Sequence, residues 1–499
     1  MNRLPWPVLF GALMLVGNAE AQGYRIRFDT GFQSVAFRGV AIDSVLATDA
    51  VVGSTGGFET SDGYAVRCIT GLSYCTFFRP GPIRRAAPLA TSTNLTMWGL
   101  GVSGLTLRLN SRFGIDVGDG SSWPGTSPAS QLIAAYAEYS KGKVRAQLGR
   151  THVWNRFGWK GLDGARVDFN ASRNLRVNIY GGWGLARASA VPVTSPALNP
   201  LDDFQPGARG GMFGAEINIQ SSLLDVSSTY QREIDLRTGQ QTAERVGVQG
   251  NARLNSALTL SGGVDYDVTF GEVGNADVRV LATAPRRMAT FTAGARRYRP
   301  HFPLWTIWGA FSPAPYTAVF GSALIRPIRG LVLSARGERY EYLPTGAGTP
   351  LMTNLSAGWR WGADLSYAAP ELWRVDASMH RQLGPGAGSA GLNGRVTLDP
   401  FESWRMSVHG GLMERPLEFR FDDADVWSVG ADVAYSPAEM VRIRAGAVRY
   451  DETRVRPDAA QFSWNQFRLF LDASISFGSD DRPSVPPAVL RIPNRRIER

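Results

Sequence analysis

Apolar and polar residues alternate one by one along many short segments of the chain. In one such segment the apolar face carries Leu355, Ala357, Trp359, Trp361, Ala363 and Leu365, and the polar face carries Ser356, Arg360, Asp364 and Ser366. A period of two residues is typical of a β-strand with one apolar and one polar face. The chain is therefore predicted to consist mainly of β-strands.

Turn-forming residues separate these segments in pairs. Ten such turns lie near Ser103-Gly104, Ser140-Lys141-Gly142, Ser172-Arg173, Ser221-Ser222, Asn255-Ser256, Pro285-Arg286, Ile328-Arg329, Pro370-Glu371, Pro400-Phe401 and Pro437-Ala438. Longer polar segments, such as residues 186–211 and 343–353, separate one pair from the next. Outer-membrane barrels combine short periplasmic turns with longer outer loops in this way. The pattern predicts an all-β fold, a transmembrane antiparallel up-and-down β-barrel of about 18 to 22 strands with both termini in the periplasm.

Composition also favours a barrel in the bacterial outer membrane. Charged residues make up 19% of the chain, glycines number 56 and mean hydropathy is only −0.14, and no apolar run beyond the N-terminus is long enough for a membrane-spanning helix. Strands with one apolar face would produce this average. Aromatic residues near strand ends are expected at the level of the lipid headgroups, with the core of a soluble β-sandwich as the alternative. They are Trp183, Tyr367, Trp373, Trp404, Trp427 and Tyr435.

The two ends of the chain differ from its centre. A positive start, an apolar stretch from Leu4 to Val16 and the site Ala19-Glu20-Ala21 predict a secretory signal peptide at 1–21, with an uncleaved anchor as the alternative. Residues 22–477 are assigned to the barrel, and its last strand ends at Phe477, which resembles the strand signal read by the barrel assembly machinery. Residues 478–499, rich in Pro, Arg and Ser, are predicted to form a disordered periplasmic tail.

The chain contains two cysteines, Cys68 and Cys75. An exported chain meets an oxidising compartment, which favours a disulfide between them. A metal site is the alternative, but two thiols without a nearby histidine make a poor set of zinc ligands. The sequence therefore predicts a small disulfide loop and no metal or cofactor.

Arginine dominates the polar faces. Alternation assigns to a pore lining Arg108, Arg112, Arg145, Arg166, Arg176, Arg336, Arg360, Arg374, Arg395, Arg405, Arg442, Arg444 and Arg468, and adds Arg25 and Arg27 at the first strand. The matching acids are Asp29, Asp116, Asp168, Asp225, Asp364, Asp376, Asp432 and Asp472, a ratio of 15 to 8. Rings of arginine favour anionic solutes. The alternative is that these arginines pair with carboxylates and stiffen the wall. Arg296, Arg297 and Arg299 are expected at an outer rim, close to lipopolysaccharide phosphates.

One stretch resembles a known family. Val144-Arg145-Ala146-Gln147-Leu148-Gly149-Arg150, followed by Trp159 and by Leu162-Asp163-Gly164-Ala165-Arg166-Val167, is similar to the Gly-Arg and Asp-Gly-x-Arg strand pattern of alginate-export-like outer-membrane porins. The resemblance covers about 45 residues and implies an arginine-rich lumen that passes small anions or an acidic polysaccharide.

Enzymatic chemistry has weak support in the sequence. The four histidines are His152, His301, His380 and His409, and no compact group of serine, histidine and acid accompanies them. His380 and His409 fall on polar faces, so a barrel hydrolase stays an alternative. No nucleic-acid partner is predicted. The favoured function is a porin-like channel for polar, anionic or saccharide solutes, and the other alternative is a plugged structural or adhesive barrel that binds the envelope.

Overall fold

The computed structural model describes most of the chain. The described residues are 23–53, 57–64, 66–69, 71–118, 130–185, 210–236, 238–299, 315–343, 357–369, 373–384, 387–414, 423–456 and 464–479. They form β-strands and one short 3-10 turn at Pro285–Arg287. None of them belongs to a helix long and apolar enough to span a membrane. The predicted signal peptide and most of the predicted tail lie outside the described residues and stay predictions.

Twenty-six strands are described. They are β1 Gly23–Leu46, β2 Val51–Val52, β3 Phe58–Glu59, β4 Val66–Arg67, β5 Tyr74–Ala86, β6 Pro88–Trp98, β7 Leu105–Asp116, β8 Ser130–Lys141, β9 Val144–Asn155, β10 Gly158–Asn170, β11 Leu175–Gly184, β12 Gly211–Gln220, β13 Leu224–Ile234, β14 Gln241–Arg253, β15 Leu258–Asp267, β16 Glu272–Thr283, β17 Ala289–Tyr298, β18 Tyr316–Ile325, β19 Leu331–Tyr342, β20 Ala357–Ala369, β21 Trp373–Gly384, β22 Ala387–Phe401, β23 Trp404–Glu414, β24 Asp423–Ala438, β25 Val441–Arg456 and β26 Trp464–Gly478.

Strand β1 together with β6 through β26 forms a closed antiparallel barrel of 22 strands. Each strand from β6 onward pairs with the next, and β1 closes the sheet by pairing with both β6 and β26. Nine of the ten predicted turns lie in described residues, at junctions between consecutive barrel strands, and Pro400-Phe401 and Pro437-Ala438 are the last residues of β22 and β24. These junctions lie at the end of the barrel where β1 begins and β26 ends. The tenth turn, Pro370-Glu371, follows β20 in the sequence and lies outside the described residues. The predicted fold class is confirmed. The placement of that end in the periplasm stays a prediction.

The opposite end of the barrel is less regular than predicted. The segments 186–211 and 343–353 lie almost entirely outside the described residues, so their predicted loops are not described. Four other connections at this end are short in sequence: residues 156–157 between β9 and β10, 235–240 between β13 and β14, 268–271 between β15 and β16, and 385–386 between β21 and β22. The expected alternation of short turns with long loops is therefore wrong for this part of the barrel. Alternation in the sequence locates the strands well, but it does not determine how far each strand extends before the chain turns back at the outer end.

The first strand continues beyond its barrel neighbours. Residues 25–35 of β1 pair with β26, whereas residues 35–46 pair with β5 and form a two-stranded ribbon. At the end of this ribbon Cys75 lies opposite Val45 and forms a disulfide with Cys68, with 4.2 Å between their Cα atoms. The disulfide loop is thus attached to the ribbon and not to the barrel wall.

The two faces of the barrel wall have opposite character. Leu148, Val319 and Val429 expose 68%, 59% and 48% of their surface. On the other face, Lys160 of β10 reaches Glu233 of β13, three strands away, at 3.2 Å. Only the concave face of a closed barrel brings side chains of such distant strands together, so this polar face is the inner one. The apolar face is the outer one, as expected for a barrel surrounded by lipid.

Candidate channel interior

The thirteen arginines predicted to line a pore all lie on the inner face. They are distributed over eleven strands: Arg108 and Arg112 on β7, Arg145 on β9, Arg166 on β10, Arg176 on β11, Arg336 on β19, Arg360 on β20, Arg374 on β21, Arg395 on β22, Arg405 on β23, Arg442 and Arg444 on β25, and Arg468 on β26. Each alternates with residues of the apolar outer face. The strands fix these positions because side chains of a strand point alternately to the two faces.

Within the part of the chain that the structure describes, ion pairs are seen for seven of these thirteen arginines. The pairs are Arg108 and Arg145 with Glu138, Arg166 with Asp168, Arg360 with Glu338, Arg374 with Asp376, Arg405 with Asp399, and Arg444 with Asp432. Glu138 is almost completely buried, and its Oε2 atom accepts hydrogen bonds from Arg145 at 2.7 Å and Gln147 at 2.8 Å. The alternative that arginines stiffen the wall therefore holds for part of the set.

Arg336, Arg395 and Arg442 form no ion pair with a described residue. Arg395 lies opposite His409 on β23 and, beyond ion-pair distance, opposite Asp376 on β21, and Arg442 borders a cavity of about 650 Å³ beside β1 and β26. Arg112 and Arg444 line the same cavity together with Asp29. A guanidinium without a carboxylate partner keeps its full charge available to a solute.

The inner face also contains ionisable residues that sequence reasoning missed. The additional bases on the strands are Lys160, Arg245, Arg253, Arg279 and Arg296, and the additional acids are Glu138, Glu216, Glu233, Asp265, Asp267, Asp277, Glu338, Asp399 and Glu452. The same alternation that located the arginines could have found them, because each lies on the polar face of its strand. The ratio of 15 to 8 thus underestimated the acids more than the bases.

The charges are unevenly distributed around the barrel. Strands β8 through β15, with the turn residue Arg156, carry seven inner bases and seven inner acids among the described residues. The remaining described barrel strands carry fourteen inner bases and ten inner acids. The excess of positive charge therefore belongs to the second group of strands, which we call the basic wall.

The basic wall encloses a cavity of about 720 Å³. Arg279, Arg296, Arg336 and Arg360 line it, and Glu338 pairs with both Arg296 and Arg360. The guanidinium of Arg360 lies 4.2 Å from the ring centroid of Tyr340, which adds a cation–π contact. Arg296 thus belongs to the interior, which corrects its expected position at an outer rim.

The two histidines considered for catalysis lie on the inner faces of β21 and β23 at different levels. His380 packs against Gly391, whereas Nδ1 of His409 lies 3.8 Å from Asp432. Asp432 also accepts a hydrogen bond from Ser407 at 2.7 Å and pairs with Arg444. This arrangement fixes the Asp432 carboxylate between three polar groups and leaves the Ser407 hydroxyl bonded to an acid instead of a histidine.

The motif that resembles alginate-export-like porins forms one unit across β9 and β10. Gly149 lies opposite Gly164, and Arg150 lies opposite Asp163 and forms two hydrogen bonds with it, at 2.6 and 2.8 Å. A Cβ atom at Gly164 would overlap the carbonyl oxygen of Gly181 on β11. The two glycines therefore permit close approach of the strands. The ion pair lies on the outer face, because Arg150 shares the face of β9 that also carries Leu148 and Trp154.

Comparisons with known proteins find similarity at the level of the fold. No protein-family model matches the chain, and no curated protein matches it. A BenF-like porin from Pseudomonas fluorescens Pf-5 is 8% identical, with 91% of this chain and 99% of that chain covered and a TM-score of 0.41. OprD from Pseudomonas aeruginosa is 9% identical over 92% and 96% of the two chains, with a TM-score of 0.38. The siderophore receptor PirA from Pseudomonas aeruginosa is 12% identical over 91% and 80%, with a TM-score of 0.46.

The structure itself decides the class of protein. A closed sheet satisfies the backbone hydrogen bonds of its strands without water, an apolar outer face suits lipid, and a charged inner face suits water. The chain is an outer-membrane β-barrel protein of 22 strands.

Proposed function

We propose that the barrel is a channel for polar solutes and that it prefers anions. The observation that carries this proposal is the excess of fixed positive charge on the basic wall, where fourteen bases accompany ten acids among the described strand residues. Arginine keeps its charge at any physiological pH, so the potential along this wall is positive and raises the local concentration of anions.

The unpaired arginines Arg336, Arg395 and Arg442 should contribute most to selectivity. An arginine beside a carboxylate, such as Arg374 at 2.8 Å from Asp376, presents little net charge to a passing ion. Removing a paired arginine leaves the negative charge of its carboxylate partner uncompensated. Removing an unpaired arginine lowers the positive potential and leaves no carboxylate without its partner. The two kinds of substitution therefore test charge excess and wall structure separately.

The test is ion selectivity in planar bilayers under a gradient of potassium chloride. Wild type should pass chloride in preference to potassium, and the triple variant Arg336→Ser/Arg395→Ser/Arg442→Ser should shift the reversal potential toward zero. The measurement belongs at about 0.1 M salt, where the Debye length is about 10 Å, because at about 1 M it falls to about 3 Å and the wall is screened.

Two control variants complete the design. Thr397→Ser on the inner face of β22 should leave the reversal potential unchanged, since it alters no charge. Arg374→Ser should move selectivity toward cations through the exposed Asp376 carboxylate. A cation-selective wild type, or a triple variant with an unchanged reversal potential, would overturn the anionic preference.

The solute class we propose is small carboxylates and acidic saccharides. The arginine-lined cavity of about 720 Å³ has room for such a molecule, and guanidinium groups bind carboxylates in a bidentate manner. An acidic polysaccharide, as in alginate-export-like porins, carries the same carboxylate group on many sugar units. Uronate oligosaccharides of increasing length should interrupt the chloride current, whereas neutral oligosaccharides of equal length should do so less.

A plugged structural barrel is the second candidate, because the interior beside β8 through β15 is filled with buried side chains such as Glu138, Asn178 and Thr229. It predicts no conductance in bilayers, so the same recording separates the two functions. The predictions that the chain is not an enzyme and that it needs no cofactor stay predictions. Loss of a hydrolytic activity in a His380 or His409 variant would contradict the first.

Lipopolysaccharide and the barrel assembly machinery are the envelope partners that we propose. Arg297, Arg339 and Arg381 lie on the outer face close to the strand ends opposite the nine described turns, and none forms an ion pair with a described residue. Arg339 also lies 5.5 Å from the ring centroid of Trp359. Replacement of the three arginines by glutamine should weaken retention of lipopolysaccharide during purification, and unchanged retention would count against this partner.

A further inference from the structure

The turn between β9 and β10 folds into the barrel. Arg156, whose side chain is only 9% exposed, lies 3.4 Å from Asp265 on β15 and 3.2 Å from Asp277 on β16, and donates a hydrogen bond to the carbonyl oxygen of Asn275. The strands it reaches are five and six positions away from β10 around the sheet. This turn therefore bridges an arc that runs from β10 to β16, seven of the 22 strands.

The wall formed by β14 and β15 is shaped to receive this turn. The guanidinium of Arg245 lies 4.3 Å from the ring centroid of Phe157. A Cβ atom at Gly247 would lie 3.0 Å from the Phe157 ring, and one at Gly263 would overlap the Arg156 guanidinium. Larger residues at these two positions would exclude the turn, so the wall and the turn fit each other in this conformation.

Side chains fill the space beneath the bridged arc. Asn155 donates to the Tyr180 hydroxyl at 3.0 Å, and that hydroxyl donates to Gln231 at 3.0 Å. Lys160 pairs with Glu233 on the same strand as Gln231. The contacts form a continuous network from β9 to β13, and this part of the interior leaves little room for a solute.

The basic wall differs in this respect. The cavity of about 720 Å³ lies against β16–β21, and the cavity of about 650 Å³ lies against β1, β6, β7, β25 and β26. Both are lined by arginine, and both lie on the strands that carry the excess of positive charge. Open space and net charge therefore coincide on one side of the barrel.

We propose that Arg156 and Phe157 set the size limit of the channel. By bridging from β10 to the edge of the basic wall at β16 they close the sector from β10 to β15 and confine solutes to the basic wall, so that every solute that passes meets the unpaired arginines. The inference rests on the proposed channel function and adds to it the residues that determine size and route.

The first test compares single-channel conductance and solute cut-off in three proteins: wild type, Arg156→Ala/Phe157→Ala, and Trp154→Ala. Trp154 is 64% exposed on the outer face beside the turn and serves as the matched control. If conductance scales with the open fraction of the circumference, release of six of 22 strands should raise it roughly 1.4-fold. Liposome swelling should also extend to larger saccharides in the double variant, and the control should match wild type.

The second test does not depend on conductance. Thr229, 1% exposed on β13, lies beneath the bridged arc, whereas Ser474 on β26 borders an open cavity. The disulfide between Cys68 and Cys75 leaves an introduced cysteine as the single reactive thiol among the described residues. A bulky water-soluble maleimide should label Thr229→Cys slowly and Ser474→Cys rapidly, and the Arg156→Ala/Phe157→Ala background should accelerate the first alone.

The outcomes separate the two proposals. Conductance in wild type with no change in the double variant, or equally fast labelling of Thr229→Cys in both backgrounds, would overturn the role of the turn and leave the channel standing. Accelerated labelling of Thr229→Cys without conductance in any variant would support closure of the sector by the turn while refuting the channel.

Discussion

The ion pair between Arg150 and Asp163 leads to a quantitative prediction about stability. Both residues lie near the middle of their strands and on the outer face, where the side chains are 21% and 24% exposed. Arg150 also donates to the carbonyl oxygen of Leu132 at 2.8 Å. Asp163→Ala removes the carboxylate. The Arg150 guanidinium then faces lipid, and the carbonyl oxygen of Leu132 is its one remaining hydrogen-bond acceptor among the contacts named above.

A basic residue that faces the middle of the bilayer costs about 2–4 kcal/mol. Asp163→Ala should therefore lower the free energy of unfolding by about that amount. Arg150→Leu/Asp163→Leu removes both charges, and replacement of a desolvated pair by apolar residues is often close to neutral. The double variant should regain most of the lost stability, with a coupling energy of about 2 kcal/mol or more.

The assay is urea unfolding in phosphatidylcholine vesicles, followed by tryptophan fluorescence. Asp376→Ala is the matched control, because Asp376 pairs with Arg374 at 2.8 Å on the inner face. Water in the lumen can solvate the remaining guanidinium, so the control should change stability little. Equal losses in Asp163→Ala and Asp376→Ala, or a double variant no more stable than Asp163→Ala, would refute the reasoning.

Three further predictions concern assembly. The protein should fractionate with outer membranes. It should migrate faster on gels before boiling than after boiling, because a closed barrel resists unfolding by detergent. Recovery as a soluble periplasmic monomer would contradict the fold. Val429→Asp on the outer face should impair assembly far more than Ser428→Asp on the inner face, because only the charge at position 429 would face lipid. Equal yields of folded barrel would contradict the assignment of the inner and outer faces. Gly164→Ala should destabilise the barrel by about 1–3 kcal/mol through overpacking, whereas Gly394→Ala, which has open space, should be tolerated in the same urea assay.

Much of the fold could be predicted from local sequence. The period of two identifies strands such as β20 and β21, and turn residues such as Ser140-Lys141-Gly142 mark where one strand ends and the next begins. Both signals arise from residues close together in the chain. They were sufficient for nine of the ten turns, the strand number within its range and the inner position of the arginines.

The interior could be predicted only in part. Alternation assigns Glu338 to the same face as Arg336, but pairing with Arg296 and Arg360 depends on register between strands. The inward turn depends on contacts between Arg156 and residues more than 100 positions away, and no local pattern announces them. Sequence reasoning also placed Gly149-Arg150 and Asp163-Gly164 in one motif without indicating that they face each other.

The seam between β1 and β26 has a consequence for biogenesis. It joins Arg25 to Gly478 and Val35 to Arg468, residues separated by more than 430 positions, whereas most other neighbours in the barrel follow directly along the chain. Contacts between such distant residues form slowly because a long loop must close first. Until β26 docks, the sheet exposes an unpaired edge at β1 that could join any other available strand. Pairing of β26 with β1 should therefore be the slow, last step of barrel closure.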